Sequence, residues 1–256
     1  MFRRAIVRPP GNNFADGLTK SDLGVPEFAL ALAQHKAYCR TLRACGLELL
    51  RLPADLRYPD STFVEDAAVL TPKLAVLTRP GAASRLGEVE AIRGSVQRFY
   101  PAVREIQAPG TLDGGDICEA GSHFFIGISH RTNEEGARQL TGLLSAEGYT
   151  ASTVDIRPLS SILHLKSGIA YLDRGHLAVM EELAGREEFA GYNLICVSPA
   201  DTYACNCVNV NDRVLVPAGF PRVSAGLESA GYRPLELEMS EFRKMDGGLS
   251  CLSLRF

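Results

Sequence analysis

Five residues with chemically useful side chains recur at nearly regular spacing along the chain. They are Asp66, Asp113, His164, Asn206 and Cys251, and successive gaps between them are 47, 51, 42 and 45 residues. Each lies in a polar turn beside a strand-like apolar segment. A fivefold repeat of this length predicts a closed ring of similar units, in which equivalent turns meet at a central pocket.

A thiol, an imidazole and a carboxylate together suit covalent catalysis. Cysteine attacks as the thiolate, so its ordinary pKa of about 8.5 has to be lowered by a base or a cation. His164 would move the proton, and Asp113 would hold the imidazole in one tautomer. Asp66 would attract a cationic substrate group. The residues alone also allow a plainer reading, with Cys251 as a small buried hydrophobe and His164 as a structural residue.

Short β-prone segments repeat with the same period. One strand of each unit is predicted in LELLRLP, VREIQAP, ASTVDIR, NLICVSP and PLELEMS. A strand pair follows each, with first strands in STFVEDAAVL, GGDICEA, LHLKSGIAYL, CNCVNV and GGLSCLSLRF, and second strands in KLAVLTRPG, HFFIGISHRTN, HLAVM and RVLVPAGFP. The fifth second strand has no counterpart near the C-terminus. The N-terminal RRAIVRPPG is similar in sequence to KLAVLTRPG, so we expect it to supply the fifth second strand.

Helices are predicted between the strand pairs and the next β-prone segments. Apolar residues at three-to-four spacing indicate amphipathic helices within 84–99 and 133–148, with Asn133 as N-cap and Gly148 as the residue after the helix end. The segments 26–46 and 221–231 begin with proline and finish at glycine, which is typical of a helix. The sequence therefore predicts an α/β fold in which residues 1–256 form a single domain, closed by pairing of the N- and C-terminal strands.

Composition narrows the possible partners. A net charge of −3 gives no electrostatic reason to expect nucleic acid or an anionic membrane as a partner, and no apolar run approaches the length of a membrane span. The apolar stretch at the start is too short for a signal-peptide core. Seven cysteines without a CxxC pair favour free thiols in a reducing cytosol, so we expect a cytoplasmic protein.

Six motifs occur in one order along the whole chain: PDSTFVEDAAVL, TRPGAASRLGE, LDGGD, RTNEEGA, LHLKSG and DGGLSCLSL. Together they resemble the dimethylarginine dimethylaminohydrolases of the guanidino-group-modifying enzyme superfamily. The resemblance implies the pentein fold, a five-bladed α/β propeller of pseudo-fivefold ββαβ repeats around a central active-site channel. It also implies hydrolysis of Nω-methylated arginines to citrulline and an alkylamine through a covalent S-alkylthiouronium intermediate, with no metal and no organic cofactor.

The resemblance assigns roles to residues. Cys251 is the nucleophile, His164 the acid and base, and Asp113 the carboxylate that orients the histidine, where some family members have Glu. The implied substrate contacts are Leu18 and Met245 through backbone groups, Asp60, Glu65 and Asp66 at the amino and guanidinium ends, Arg85 and Arg131 at the α-carboxylate, and Asp246.

Two alternatives remain open at the level of sequence. Arginine deiminases typically carry a His-x-Asp motif, whereas this chain has HLK, with Lys166 in place of the aspartate that would grip an unsubstituted guanidinium. Methylarginine is therefore the favoured substrate, and a small molecule the expected partner. The second alternative is a non-catalytic binding protein, since penteins include a translation factor. A homodimer is left open.

Overall fold

The computed structural model describes residues 1–256 and contains five three-stranded sheets. The sheets are β1 (Arg4–Val7) with β2 (Glu48–Arg51) and β15 (Leu254–Arg255); β3 (Ala68–Leu70), β4 (Ala75–Leu77) and β5 (Val103–Glu105); β6 (Ile117–Ala120), β7 (His123–Ile128) and β8 (Thr150–Asp155); β9 (Ile169–Tyr171), β10 (His176–Met180) and β11 (Asn193–Val197); and β12 (Val208–Val210), β13 (Arg213–Pro217) and β14 (Pro234–Leu237).

All five sheets share one pairing scheme. The middle strand runs antiparallel to one neighbour and parallel to the other, as in Val179 of β10, which faces Ile169 of β9 and Cys196 of β11. The middle strands are continuous apolar runs because both of their faces are covered; in β10, residues 177–180 have no exposed surface. The predicted fold class, a five-bladed α/β propeller, is confirmed.

The first sheet joins the two ends of the chain. Strand β15 pairs antiparallel with β1, placing Ile6 opposite Leu254, and β1 pairs parallel with β2. The N-terminal strand thus occupies the middle position that the repeat leaves without a C-terminal counterpart. The segment after Cys251 is held along the N-terminal strand, because the backbone of Phe256 also bonds to Arg3 and Arg4.

Helices cover the outside of four units: α1 (Phe28–Ala44), α2 (Glu88–Gln97), α3 (Glu134–Ala146) and α4 (Pro221–Ser229), with a short α5 (Ser240–Arg243) ahead of the last turn. The cap prediction is confirmed, since Asn133 accepts a hydrogen bond from the Gly136 N–H at 2.8 Å. Gly148 follows the helix end with a φ of +84°. The fourth unit departs from the repeat: two 3-10 turns, Glu181–Leu183 and Glu187–Phe189, replace its helix. None of the helices combines the length and apolar character needed to cross a membrane.

The turns that contain or directly adjoin the five spaced residues lie just before the first strand of each unit. They are short 3-10 segments at Val64–Ala67, Gly114–Asp116, Leu165–Ser167, Pro199–Cys205 and Ser250–Leu252. The turn at 64–67 packs against both 114–116 and 250–252, and 165–167 packs against 114–116 and 199–205. Buried apolar side chains fill the junctions between successive sheets. The turns therefore meet at the axis of the ring, as the spacing predicts.

Candidate active site

His164 and Asp113 form a buried pair. The His164 Nε2 lies 2.9 Å from Asp113 Oδ2, and the Asp113 side chain has no exposed surface. The other Asp113 oxygen accepts the Gly81 N–H at 2.8 Å, which fixes the carboxylate. Burial alone would lower the pKa of His164, but the carboxylates of Asp66, Asp116 and Asp113 outweigh it and raise the pKa to about 9. The imidazole is therefore protonated near neutral pH and is ready to act as an acid.

Two glycines after Asp113 allow the turns to approach this closely. A side chain at Gly114 would place its Cβ 2.0 Å from the Glu65 carbonyl oxygen. At Gly115 the Cβ would lie 2.7 Å from His164 Nδ1 and 2.9 Å from Asp66 Oδ1. The Gly115 N–H donates to that same Asp66 oxygen at 2.9 Å. The LDGGD motif is thus required by backbone-to-side-chain packing at the site.

Cys251 is held in its turn by the neighbouring unit. Asn206 accepts the Ser250 N–H at 2.8 Å and donates to the Lys166 carbonyl at 3.0 Å. The Cys251 Sγ accepts the Gly248 N–H at 3.4 Å. Burial, followed by the carboxylates of Glu65 and Asp66, raises the pKa of the thiol to about 12. The thiol is therefore neutral near neutral pH in this state.

Asp66 faces the cavity as an ionised carboxylate. Its Oδ2 lies 2.5 Å from Arg85 Nη1. Burial would raise the pKa of Asp66, but the positive charges of His164 and Arg85 lower it to about 2. The remaining Arg85 donors bond to the Glu88 carboxylate and to the carbonyls of Asp60 and Phe63. Arg85 is thus engaged by the protein in this state, and its expected contact with a substrate carboxylate stays a prediction.

Glu65 points away from the cavity that contains Cys251. Its Oε1 lies 2.5 Å from Lys166 Nζ and 3.4 Å from Arg255 Nη2, and its Oε2 accepts the Ser250 hydroxyl at 2.7 Å. A buried carboxylate needs such partners because ionised groups are costly to remove from water. The structure places Glu65 behind the nucleophile, paired with cations, and its expected contact with the guanidinium stays a prediction.

The cavity at the site has a volume of about 20 Å³, which is close to the room for one water molecule. Nine of the eleven predicted site residues line it: Leu18, Asp60, Asp66, Arg85, Arg131, His164, Met245, Asp246 and Cys251. Asp113 lies behind His164, and Glu65 lies behind Cys251. Phe63, Leu163 and Gly247 complete the lining.

A loop at residues 16–21 covers the cavity. Asp60 accepts the Leu18 N–H on both carboxylate oxygens, at 3.1 and 3.2 Å. Asp246 Oδ2 accepts the Lys20 N–H at 2.6 Å and the Thr19 hydroxyl at 3.1 Å. The cavity is too small for a substrate larger than water, so residues around it have to move when such a substrate binds.

Comparison with known proteins identifies the family. No family model matches the chain. The N(G),N(G)-dimethylarginine dimethylaminohydrolase of Pseudomonas aeruginosa is 49% identical over 257 residues and is matched over 100% of both chains. The chain belongs to the dimethylarginine dimethylaminohydrolase family. Its recognition from the six ordered motifs is confirmed.

Solved structures of the family have the same fold. A cysteine-to-serine mutant of the Pseudomonas aeruginosa enzyme complexed with citrulline matches with a TM-score of 0.97 at 48% identity, over 100% of both chains. A histidine-to-glycine variant of a dimethylarginine dimethylaminohydrolase, as an adduct with S-methyl-L-thiocitrulline, matches with a TM-score of 0.96 at 48% identity, also over 100% of both chains.

Side chains of metal-ligand type also converge at this site. Ligand atoms of Asp66, Asp113 and His164 lie within 4.8 Å of one another. Their atoms already bond to Arg85, to the Gly115 and Gly81 amides and to each other. A cation there would compete with Arg85 and with the imidazole proton. The arrangement fits proton transfer better than metal binding.

Several residues of the site were not assigned a role from the sequence. Asn206 was found only as a member of the repeat, and its role as a clamp on Ser250 and Lys166 depends on the packing of two distant turns. Asp116, which binds the Leu165 N–H at 2.9 Å, carries no motif signal beyond its place after Gly-Gly. Phe63 and Leu163 are apolar residues among many, so no sequence signal singles them out.

The hydrogen bonds between Asp246 and the covering loop can be tested by removing the carboxylate. In Asp246→Ala the loop loses two hydrogen bonds, each worth about 0.5–1.5 kcal/mol. We expect faster amide hydrogen exchange at residues 17–21 and a Michaelis constant for substrate raised about tenfold. The exposed loop residue Asp22 offers a matched control, and Asp22→Ala should leave both quantities unchanged. If Asp246→Ala showed the wild-type rate of amide exchange and the wild-type Michaelis constant, the hydrogen bonds of Asp246 would not be what holds the loop.

Proposed function

We propose that this protein hydrolyses Nω,Nω-dimethyl-L-arginine and Nω-methyl-L-arginine to L-citrulline and dimethylamine or methylamine. One observation carries the proposal: Cys251 and the protonated His164 line a single cavity with the ionised Asp66. Hydrolysis of a cationic guanidinium requires a thiol as nucleophile, an acid to protonate the departing amine and a carboxylate to hold the cation. Near-identical folds in family members with citrulline or S-methyl-L-thiocitrulline bound support the same choice.

Binding of the guanidinium supplies the charge that activates the thiol. The substrate cation is planar and delocalised, and carboxylate is its natural partner, so Asp66 is proposed to hold it. Its positive charge beside Cys251 offsets the Glu65 and Asp66 carboxylates that raise the pKa of the thiol. The thiolate therefore forms when substrate is present, next to the carbon that it attacks.

His164 handles the protons of both half-reactions. Thiolate addition to the guanidinium carbon gives a tetrahedral adduct, and the His164 imidazolium donates its proton to the departing amine. The carbon–nitrogen bond breaks, and an S-alkylthiouronium remains on Cys251. Neutral His164 then takes a proton from water, the water oxygen attacks the same carbon, and the carbon–sulfur bond breaks to release citrulline. Asp113 keeps the imidazole oriented throughout.

The amino-acid end of the substrate is assigned to the covering loop and to Arg131. Arg131 Nη1 is buried without a hydrogen-bond partner, at a cavity that its side chain lines. Its nearest carboxylate oxygen is Asp113 Oδ2 at 3.6 Å, beyond hydrogen-bond distance, so a substrate α-carboxylate would supply the hydrogen bond that this buried donor lacks. Backbone groups of Leu18 and Met245, together with Asp60 and Asp246, complete the proposed contacts.

Lys166 favours a methylated substrate over arginine. It stands two residues after His164 and is paired with Glu65, so it places a cation where a deiminase is expected to have a carboxylate. The distal nitrogens of the substrate are then less tightly held, which suits nitrogens that carry methyl groups and have lost donors. The non-catalytic alternative gives no reason for a buried, protonated His164–Asp113 pair beside a cysteine.

The proposal is tested by assaying citrulline after incubation of the purified protein with dimethylarginine, monomethylarginine or arginine. We expect citrulline and one equivalent of alkylamine from the methylated substrates, and far less product from arginine. Comparable turnover of arginine with release of ammonia would identify a deiminase. No product from any guanidine, with Cys251 unreactive to alkylating reagents, would identify a binding protein.

The raised pKa of Cys251 predicts a transient release of protons. Substrate binding converts the thiol to a thiolate, so stopped-flow mixing with a pH indicator at neutral pH should show a burst of about one proton per site before steady turnover. Cys251→Ser should show no burst, whereas serine at the exposed Cys196 should leave it intact. A wild-type protein without a burst would mean that the thiolate exists before substrate binds.

The proposal extends to the setting of the protein. All seven cysteines are free, which supports a cytoplasmic location. We propose that residues 1–256 act as a single domain with a small molecule as its partner, without nucleic acid or membrane partners. Analytical ultracentrifugation tests the homodimer that the sequence leaves open.

A further inference from the structure

A large chamber occupies the axis of the ring on the side away from the covering loop. Its volume is about 620 Å³, and it is lined by residues from the first strand of every unit and from the N-terminal segment. The charged and polar residues that matter here are Glu65, Glu119, Lys166, Asn209 and Arg255. We call this space the back chamber.

A partition that includes Glu65, Lys166 and Ser250 separates the back chamber from the substrate cavity. Glu65 and Ser250 line the chamber, while the next residues in the chain, Asp66 and Cys251, line the cavity. The Lys166 ammonium closes the partition through its 2.5 Å contact with Glu65, whose other oxygen binds the Ser250 hydroxyl. This ion pair and this hydroxyl lie at the boundary between the cavity that contains Cys251 and a space some thirty times larger, about 620 against about 20 Å³.

The order of the reaction creates a transport problem on the loop side. After the carbon–nitrogen bond breaks, the amine has to leave and water has to arrive while the remainder of the substrate is attached to Cys251. That remainder extends toward the loop and Arg131, beneath the contacts of Asp60 and Asp246 with the loop. The incoming water has to take the position that the amine vacates beside the same carbon, so the two have to exchange while the intermediate is attached.

We propose that the alkylamine departs and the hydrolytic water arrives through the back chamber, past a mobile Glu65–Lys166 pair. The inference rests on the proposed function. Lysine suits a gate because its ammonium sits on a flexible four-carbon stem. The amine leaves uncharged, having received the His164 proton at the bond that broke, so it passes Lys166 without charge repulsion.

The chamber wall suits an amine on the far side of the partition. Glu119 is half-buried there, and burial raises the pKa of its carboxyl to about 7, against the lowering effect of Lys166 and Arg255. A carboxyl that titrates near neutral pH can give its proton to a departing amine and recover it from solvent. The amine then leaves the chamber as an alkylammonium, and the charge discourages its return past Lys166.

The test places a bulky side chain in the back chamber without touching the substrate cavity. Asn209, half-buried on β12, lines the chamber, so Asn209→Trp places an indole in the route. The matched control is Asn193→Trp, at the exposed start of β11. For each variant, turnover of dimethylarginine and of monomethylarginine, the citrulline inhibition constant and the incorporation of isotope-labelled dimethylamine into substrate are measured.

In Asn209→Trp we expect turnover of dimethylarginine to fall about tenfold, with labelled amine incorporation reduced in parallel. Monomethylarginine should be affected less, because methylamine is smaller. Citrulline inhibition should stay within about twofold of wild type, and Asn193→Trp should match wild type in every measurement. Wild-type turnover and incorporation in Asn209→Trp would overturn the proposal and place both routes beneath the loop. A wild-type protein that turns over no methylarginine would instead refute the proposed function.

Discussion

Replacing Cys251 with serine is expected to abolish hydrolysis of methylarginine. The hydroxyl is far less acidic than a thiol, and burial and the Glu65 and Asp66 carboxylates, which raise the pKa of the Cys251 thiol, would disfavour an alkoxide as well. Loss of a nucleophile of this kind lowers turnover by at least about 10³-fold. Citrulline formation from dimethylarginine, measured with enzyme in large excess to detect single turnovers, gives the residual rate.

Binding should survive this substitution. Serine is slightly smaller than cysteine, and the turn keeps its contacts from Asn206 to Ser250 and Lys166. We expect Cys251→Ser to bind citrulline with wild-type affinity and Cys196→Ser, at an exposed strand position, to retain full activity. Substantial turnover by Cys251→Ser would mean that water attacks the guanidinium directly, with no covalent step.

Replacing His164 with glutamine is expected to produce the second largest loss. The amide keeps a polar contact toward Asp113 but cannot supply a proton to the departing amine. General acid catalysis contributes about 10²–10⁴-fold, and we expect a decrease in turnover within that range. The exposed His130 provides the control, since His130→Gln should be fully active.

The pH dependence of turnover separates an acid role from a structural one. The pKa of His164 is raised to about 9, so the imidazolium is present at neutral pH and is lost as pH rises through that value. Wild-type turnover should therefore decline above about pH 9. In His164→Gln the decline should disappear along with most of the rate. A variant that is slow yet keeps the alkaline decline would assign the titration to another group.

The repeat in the sequence predicted most of the fold. Continuous apolar runs such as LAVM at 177–180 predicted the middle strands, because a strand covered on both faces has no polar alternation. Asn133 and Gly148 predicted the limits of α3, since capping depends on local backbone chemistry. The missing helix of the fourth unit was not foreseen, because the repeat in the other units says nothing about a local replacement by 3-10 turns.

The candidate site was harder to predict where ion pairs join residues from different units of the ring. The type and spacing of Cys251, His164 and Asp113 indicated the set that the structure brings together. The sequence around Glu65 and Asp66 does not reveal that Glu65 turns toward Lys166 and Arg255 while its neighbour Asp66 faces the cavity. That outcome depends on which cations three distant turns bring within reach.

Rapid-quench mass spectrometry of the protein during turnover tests the central claim most directly. We predict a covalent adduct on the peptide that contains Cys251, with one and the same mass from dimethylarginine and from monomethylarginine, because the methylated nitrogen has already left. Absence of an adduct on that peptide during rapid turnover, or an adduct that still carries methyl groups, would contradict a thiouronium formed by attack of Cys251.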